Sequence, residues 1–244
     1  MSHGSGARRL IVNADDFGQS VGVNEGVIQC HERGIVTSAS LMVRWPAATA
    51  AADYARAEPT LSAGLHIDLG EWAYRDGEWA PLYHVAAPDD PDAITAEIAR
   101  QLETFRQLMR CDPTHIDSHQ HVHRWDTIAE VVREVGEQLG VPVRQCTGEV
   151  AYLGGFYGQG GKGEVLDGAI SVEHLIQILT TLPEGTTELG CHPGLRRDAP
   201  GMYVVEREQE VQVLCDRQVR ATIQAERIEL ISFRGVAVAK RACG

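Results

Sequence analysis

Residues 10–34 run Leu10-Ile-Val-Asn-Ala-Asp-Asp-Phe-Gly18-Gln-Ser-Val-Gly-Val-Asn-Glu-Gly-Val-Ile-Gln-Cys30-His-Glu-Arg-Gly34. The apolar run Leu10 to Val12 has the brevity of a buried strand. Val23, Val27, Ile28 and Cys30 then fall on one helix face, and Gly34 suits the stop. This is a strand-loop-helix unit, and the same beat recurs along the chain. Ile35 to Val43 reads as a second strand, Pro46 to Ala57 as an alanine-rich helix, and Leu61 to Leu69 as a third strand. Ile94, Ile98, Leu102, Phe105 and Met109 keep helical spacing until Pro113, and Thr114 to His119 follows as a strand. A helix through Ile128, Val132 and Leu139 ends near Gly140, with a short strand at Val141 to Arg144. After a glycine-rich, aromatic loop at 152–163 come a helix from near Ser171, a strand Glu188 to Cys191, one long helix around Glu206 to Ala225, and a last strand Ile228 to Phe233. Strands alternating with helices predict an α/β fold with a largely parallel sheet, arranged as an open or closed (β/α) barrel in a single domain over residues 8–244. Residues 1–7 read as a disordered lead or an expression remnant.

Four polar segments fall at or just beyond predicted strand ends: Asn13-Ala-Asp-Asp16, Gly64-Leu-His66, His115-Ile-Asp-Ser-His-Gln-His-Val-His123 and Cys191-His-Pro-Gly194. Barrel enzymes build their sites at the C-terminal strand ends, so segments far apart in sequence can converge there. Carboxylates and imidazoles are the oxygen and nitrogen ligands of divalent metals, and a catalytic site needs about three of them with a position left for water. Asp15 and Asp16 point apart in an extended stretch, so one can hold a metal while its neighbour faces the attacking water. Taken alone, Asp15-Asp16-Phe17-Gly18 would read first as a turn and helix cap, and the other motifs reverse that preference. In a strand, His115, Asp117, His119, His121 and His123 would share one face; if the strand ends near His119, the later histidines diverge into the loop. Pro193 and Gly194 force a turn that leaves His192 near the barrel mouth, where a general acid would belong. Cys191 beside it reads as a small apolar wall residue rather than a nucleophile.

Lys and Arg number 22 and Asp and Glu 34, so the net charge is 22 − 34 = −12, which disfavours nucleic acid and acidic membrane surfaces as partners. No stretch approaches the roughly 20 apolar residues of a membrane span. The start lacks the apolar core of a secretory signal, and a cytoplasmic location is expected. Six scattered cysteines with no Cys-x-x-Cys pair fit reduced thiols rather than a disulfide framework or zinc ribbon. Gly158-Gln-Gly-Gly-Lys-Gly163 matches Gly-x-Gly-x-x-Gly but lacks the strand-turn-helix context of a dinucleotide site, and Gly163 stands where a phosphate loop needs Ser or Thr. The loop reads instead as a lid whose Tyr152, Phe156 and Tyr157 are available to stack on a sugar. Trp72, Tyr74, Trp79 and Tyr83 form a second aromatic insertion.

Asn13-Ala-Asp-Asp-Phe-Gly18, Thr37-Ser-Ala-Ser-Leu-Met42, Gly64-Leu-His66, Thr114 to His123 and His192-Pro-Gly194, in this order and spacing, resemble the YdjC-type carbohydrate deacetylase family, which includes the chitooligosaccharide deacetylases. The resemblance spans residues 8–235. It implies a (β/α) barrel-like fold arranged as in the polysaccharide deacetylases, one divalent metal, and removal of an acetyl group from an N-acetylated sugar, a small-molecule carbohydrate substrate. Carried onto this chain, it implies that Asp16, His66 and His119 hold the metal, with Asp15 as general base and His192 as candidate acid. His115, Asp117, His121 and His123 would orient ligands or contact sugar hydroxyls, and Trp72 and Tyr157 would contact substrate. Two imidazoles and one carboxylate rank zinc first, with magnesium as the other ion described for the family. Arg124-Trp125-Asp126 stands where the family usually carries a proline, which points to a differently shaped sugar pocket. Two other readings compete with this one. A metal-dependent phosphoesterase is disfavoured by the acidic chain with no arginine-rich loop near the motifs, and a non-catalytic carbohydrate-binding protein by the intact aspartate and histidine set. Homo-oligomerisation is left open.

Overall fold

In the computed structural model, which describes residues 6–236 except 88 and 149, the first strand β1 (Arg8–Phe17) is buried from Leu10 to Phe17 without alternation. Uninterrupted burial is what a parallel sheet covered on both faces requires. β1 pairs in parallel with β2 (Ser38–Leu41) on one side and β8 (Gly185–Cys191) on the other. The sheet extends through β3 (Ser62–Ile67) to β6 (Ile116–Ser118) at one end and to β7 (Ala151–Leu153) at the other, giving the order β6-β3-β2-β1-β8-β7. A short β9 (Glu229–Leu230) pairs with β1 below β2. No strand among the described residues joins β6 to β7, so the barrel is open, a curled parallel half-barrel. Val141 to Arg144, expected as a strand, contributes one parallel bridge from Val143 to Ile116.

Helices α1 (Val21–Arg33), α2 (Ala48–Ala57), α3 (Pro91–Met109), α4 (Asp126–Leu139) and α5 (Val172–Thr180) alternate with the strands. Ser20 caps α1 by accepting the Val23 N–H at 3.1 Å, and Val23, Val27 and Cys30 turn inward as their spacing dictates. Gly140, left-handed at φ 68°, stops α4 where the sequence placed its end. The expected long helix over 206–225 is two, α6 (Val205–Leu214) and α7 (Arg217–Ala225), because Asp216 accepts the Gln218 N–H at 2.7 Å and starts a new helix. The expected last strand is cut to Glu229–Leu230.

The aromatic insertion after His66 is a hairpin of β4 (Gly70–Arg75) and β5 (Glu78–His84). Asp76 and Gly77 both adopt positive φ, 53° and 93°, the geometry of a two-residue hairpin turn. That Asp-Gly signal was present in the sequence. The glycine-rich loop is likewise more ordered than a lid: its start is β7, paired with β8, and Phe156 is fully buried. No helix among the described residues is long and apolar enough to cross a membrane. Residues 1–5 of the expected lead and 237–244 of the expected domain lie outside the described residues. Ala7 is already tied to the sheet, its carbonyl accepting the Gly185 N–H at 3.0 Å.

Candidate metal centre and active site

At the end of β1 the chain turns through Asp16 at φ 64°, a left-handed conformation aspartate tolerates, and the two neighbouring carboxylates diverge. Asp16 Oδ1 accepts a hydrogen bond from His119 Nδ1 at 2.9 Å and lies 3.3 Å from His66 Nε2, while Oδ2 takes Arg207 at 2.6 Å. Ligand atoms of Asp16, His66 and His119 all lie within 4.8 Å of one another. A single divalent ion spans such a separation. Burial would raise the Asp16 pKa, yet His119 and Arg207 hold it well below the usual carboxylate range, so it stays ionised. His66 Nδ1 donates to Asp117 Oδ1 at 2.7 Å, which fixes the ring and turns Nε2 toward Asp16. Burial opposes its protonation, but Asp117 and Asp16 outweigh it and raise the pKa to about 10.

Asp15 turns the other way. Arg144 clasps both of its oxygens at 2.6 Å, and Asn13 Nδ2 adds a bond at 2.9 Å. The same guanidinium reaches Asp117 at 2.7 Å and Glu188 at 2.6 Å, linking β1, β6 and β8 within the curve of the sheet. Asp15, His66 and Asp117 form a second cluster of metal-ligand type, but this cation already occupies it. Burial raises the Asp15 pKa, and Arg144 more than compensates, keeping the carboxylate charged.

His192 Nε2 lies 3.7 Å from Asp15 Oδ2. Its backbone N–H donates to Glu210, its backbone carbonyl accepts from Arg207 at 3.3 Å, and Tyr157 and Tyr203 flank the ring at centroid distances of 5.2 and 5.5 Å. Gly26 makes this placement steric, because a Cβ there would collide with Gly194 and push the His192 turn off α1. Burial lowers the His192 pKa to about 4, so the imidazole is neutral near pH 7. Burial also raises Glu210 to about 8, and its carboxyl is a buried hydrogen-bonding post for His192 and Tyr203.

The histidine-rich segment does not present five side chains on one face. β6 ends at Ser118, and a 3-10 turn over His119–Arg124 follows, with Gln120 and His121 at positive φ. His115 stays behind Asp117, its Nε2 3.0 Å from Ser40 Oγ, while Ser40 Oγ donates to Asp117 at 2.7 Å. Its ring stacks on Phe233 at 3.8 Å, outside the cavity wall. His123 is buried against Ser118 at 2.7 Å and is not part of the cavity wall. His121 does line the cavity, 3.4 Å from the Tyr152 hydroxyl.

That cavity, about 750 Å3, has Asp15, Asp16, His66, His119 and His192 in its wall. Trp72, Trp79, Trp125 and Tyr157 make much of the rest, with Trp72 and Trp125 edge to face at 5.0 Å. Trp72 and Tyr157 therefore both line the cavity. Arg144 follows the Val141-Pro-Val run, an available strand-end signal, whereas Arg207, Glu210 and Tyr203 lie on or just before α6, where nothing in the sequence pattern separates them from surface residues.

A family model described as YdjC-like protein matches residues 9–225. The chain is 32% identical over 250 residues to a carbohydrate deacetylase of Geobacillus stearothermophilus, covering 93% of this chain and 97% of that one. It is 33% identical over 259 residues to a chitooligosaccharide deacetylase of Klebsiella pneumoniae subsp. pneumoniae, with coverage of 94% and 99%. Among solved structures, a protein of Enterococcus faecalis V583 provisionally named a cellobiose-phosphate cleavage protein superposes with a TM-score of 0.77 at 25% identity, covering 95% of this chain and 99% of that one. A peptidoglycan N-acetylglucosamine deacetylase shares the fold, with a TM-score of 0.59 at 12% identity and coverage of 98% and 94%.

Proposed function

The chain belongs to the YdjC-like protein family, and from that premise we propose that it is a metal-dependent deacetylase that hydrolyses the acetamide of an N-acetylated sugar, such as a chitooligosaccharide. The observation that carries the reading is the convergence of Asp16, His66 and His119 beside an ionised Asp15 at the wall of an aromatic cavity. The donor set fits a divalent cation: Asp117 orients His66, and Arg207 occupies one oxygen of Asp16 and leaves the other facing His119 Nδ1 and His66 Nε2. Two imidazoles and a carboxylate favour zinc over magnesium. When bound, such an ion supplies Lewis acidity, bringing the pKa of a water toward about 7 and polarising a carbonyl.

The chain's own groups do the rest. Asp15 accepts the proton of the attacking water as the water oxygen bonds to the acetyl carbon. Arg144 and Asn13 fix the direction of that carboxylate and keep it unprotonated, at some cost in basicity. Breaking the C–N bond puts a proton on the leaving nitrogen, releasing acetate and a free amino sugar. His192 takes that proton from Asp15 and passes it to the amine, a role supported by its neutral ring 3.7 Å from Asp15. Trp72, Trp125 and Tyr157 offer apolar faces to the sugar ring. A phosphoester substrate is disfavoured for a reason the sequence did not show: arginines are present at the site, but Arg144 and Arg207 are spent on carboxylates.

The test is acetate release from N-acetylglucosamine, chitobiose, longer chitooligosaccharides and glycoconjugates, with metal-free protein and with zinc or magnesium restored. Acetate release that requires the added ion is expected; release from none of these by metal-loaded protein would contradict the proposal.

A further inference from the structure

Building on the metal-dependent reading above, we propose that Glu71 is the positioning residue for His119: its carboxylate accepts the His119 Nε2–H and leaves Nδ1 as the nitrogen that faces the ion. The inward edge of the ring is already defined, because His119 Nδ1 and His66 Nε2 converge on the same oxygen, Asp16 Oδ1, at 2.9 and 3.3 Å. On the opposite edge, His119 Nε2 is buried without a hydrogen-bond partner, and 3.8 Å away lies Glu71 Oε2, also buried and also without one. Two orphaned, complementary atoms facing one another are a contact waiting to close. The gap is longer than a hydrogen bond, and a small side-chain rotation or one bridging water closes it. His66 is already held in the reversed sense, with Nδ1 on Asp117 at 2.7 Å and Nε2 inward. The two histidines thus present opposite nitrogens, each secured by a carboxylate behind it.

Glu71 is placed for this task by more than chance. It is only 4% exposed although it belongs to β4, in the hairpin outside the main sheet. The neighbouring residue Trp72 is clamped by the side-chain amide of Gln120, which accepts the Trp72 N–H at 2.9 Å and donates to the Trp72 carbonyl at 2.8 Å. Gln120 directly follows His119, so the histidine and its orienting carboxylate are tied together through one amide. Across the carboxylate lies Gly201 at φ 92°, where a Cβ would collide with Glu71 Oε1. The hairpin that offers Trp72 to the cavity therefore also completes the setting of a metal ligand.

The experiment titrates zinc into metal-free wild-type, Glu71→Gln and Glu71→Ala proteins by calorimetry, and records 15N histidine spectra of the zinc-loaded wild type. Removing an orienting partner weakens metal binding about 10- to 100-fold, the loss expected for Glu71→Ala. Glu71→Gln, whose amide oxygen still accepts Nε2–H, should stay within several-fold of wild type, and His119 should show a protonated Nε2 with Nδ1 ligated. Unchanged affinity in Glu71→Ala would overturn the assignment. So would a loss in Glu71→Gln as large as that in Glu71→Ala, the sign of a direct ligand, or His119 bound through Nε2. If Glu71→Ala does not fold, Glu71→Gln and the wild-type spectrum decide. A wild type that binds zinc but releases no acetate removes the deacetylase reading alone; one that binds no zinc removes the metal reading and this assignment together.

Discussion

The two halves of the cavity wall are built on opposite principles. On the sheet side, Asp15, Asp16 and Asp117 are buried and share the guanidiniums of Arg144 and Arg207, so the charges hold one another in fixed directions. On the hairpin and loop side, Trp79 is 49% and Trp125 41% exposed, and the wall presents aromatic faces. The contrast teaches a division of labour. Reaction geometry needs groups that cannot drift, and recognition of a sugar ring needs apolar area at a reachable surface. Changes on the sheet side should disable chemistry or folding, and changes at the exposed tryptophans Trp79 and Trp125 should alter substrate affinity alone.

The largest effect expected is that of Asp15→Asn, which retains shape and removes the proton acceptor: turnover should fall by about 10²–10⁴-fold, with bound metal still measurable. Unchanged turnover would take the base role from Asp15 and break the comparison at its strongest point. Next is Arg144→Met. It leaves Asp15, Asp117 and Glu188 buried around a missing cation, and should cost about 3–5 kcal/mol, read as a lower unfolding midpoint. An unaltered midpoint would mean that water already screens the network.

A subtler test concerns His123, whose folded pKa of about 4 is depressed by burial below the free value of 6.5. The unfolded chain then binds more protons between those limits. The contribution is present above about pH 6.5 and is lost as pH falls toward 4, at up to about 1.4 kcal/mol per pH unit. Denaturant titrations from pH 7 to 4 should show a shallower loss in His123→Phe; an identical slope would place His123 in contact with water. The smallest effect belongs to the aromatic side. Trp125→Ala should cost about 0.5–1.5 kcal/mol in substrate binding, a KM rise of roughly two- to twelve-fold with kcat near wild type. A fall in kcat instead would show that the aromatic wall shapes the reaction and would blur the division.

The sheet side was far more legible in the sequence than the aromatic side. Leu10 to Val12 followed by the Val23, Val27 and Cys30 stripe announced the first strand-helix unit, and the polar motifs announced the strand ends where Asp16, His66 and His119 meet. What escaped depends on tertiary geometry. The strict alternation of the histidine run allows a one-faced strand or, if the strand ends near His119, divergence into a loop; the second holds, and left-handed backbone at Gln120 and His121 leaves His119 beside Asp16 and His66, His121 at the cavity and His123 in packing. Arg207 is one arginine among several in the helices, and no local pattern says that it turns onto Asp16. Glu71 was hidden differently: its hairpin carried a readable Asp76-Gly77 turn, but its approach to His119 depends on how that hairpin docks through Gln120.

The most direct test of the central claim is a zinc titration of metal-free protein while acetate release from chitobiose is followed, with His66→Ala in parallel. The account predicts activity that rises to a plateau at one equivalent in the wild type and stays at background in His66→Ala. Acetate released equally well without added ion, or by His66→Ala at the same equivalence point, would contradict a metal centre on Asp16, His66 and His119.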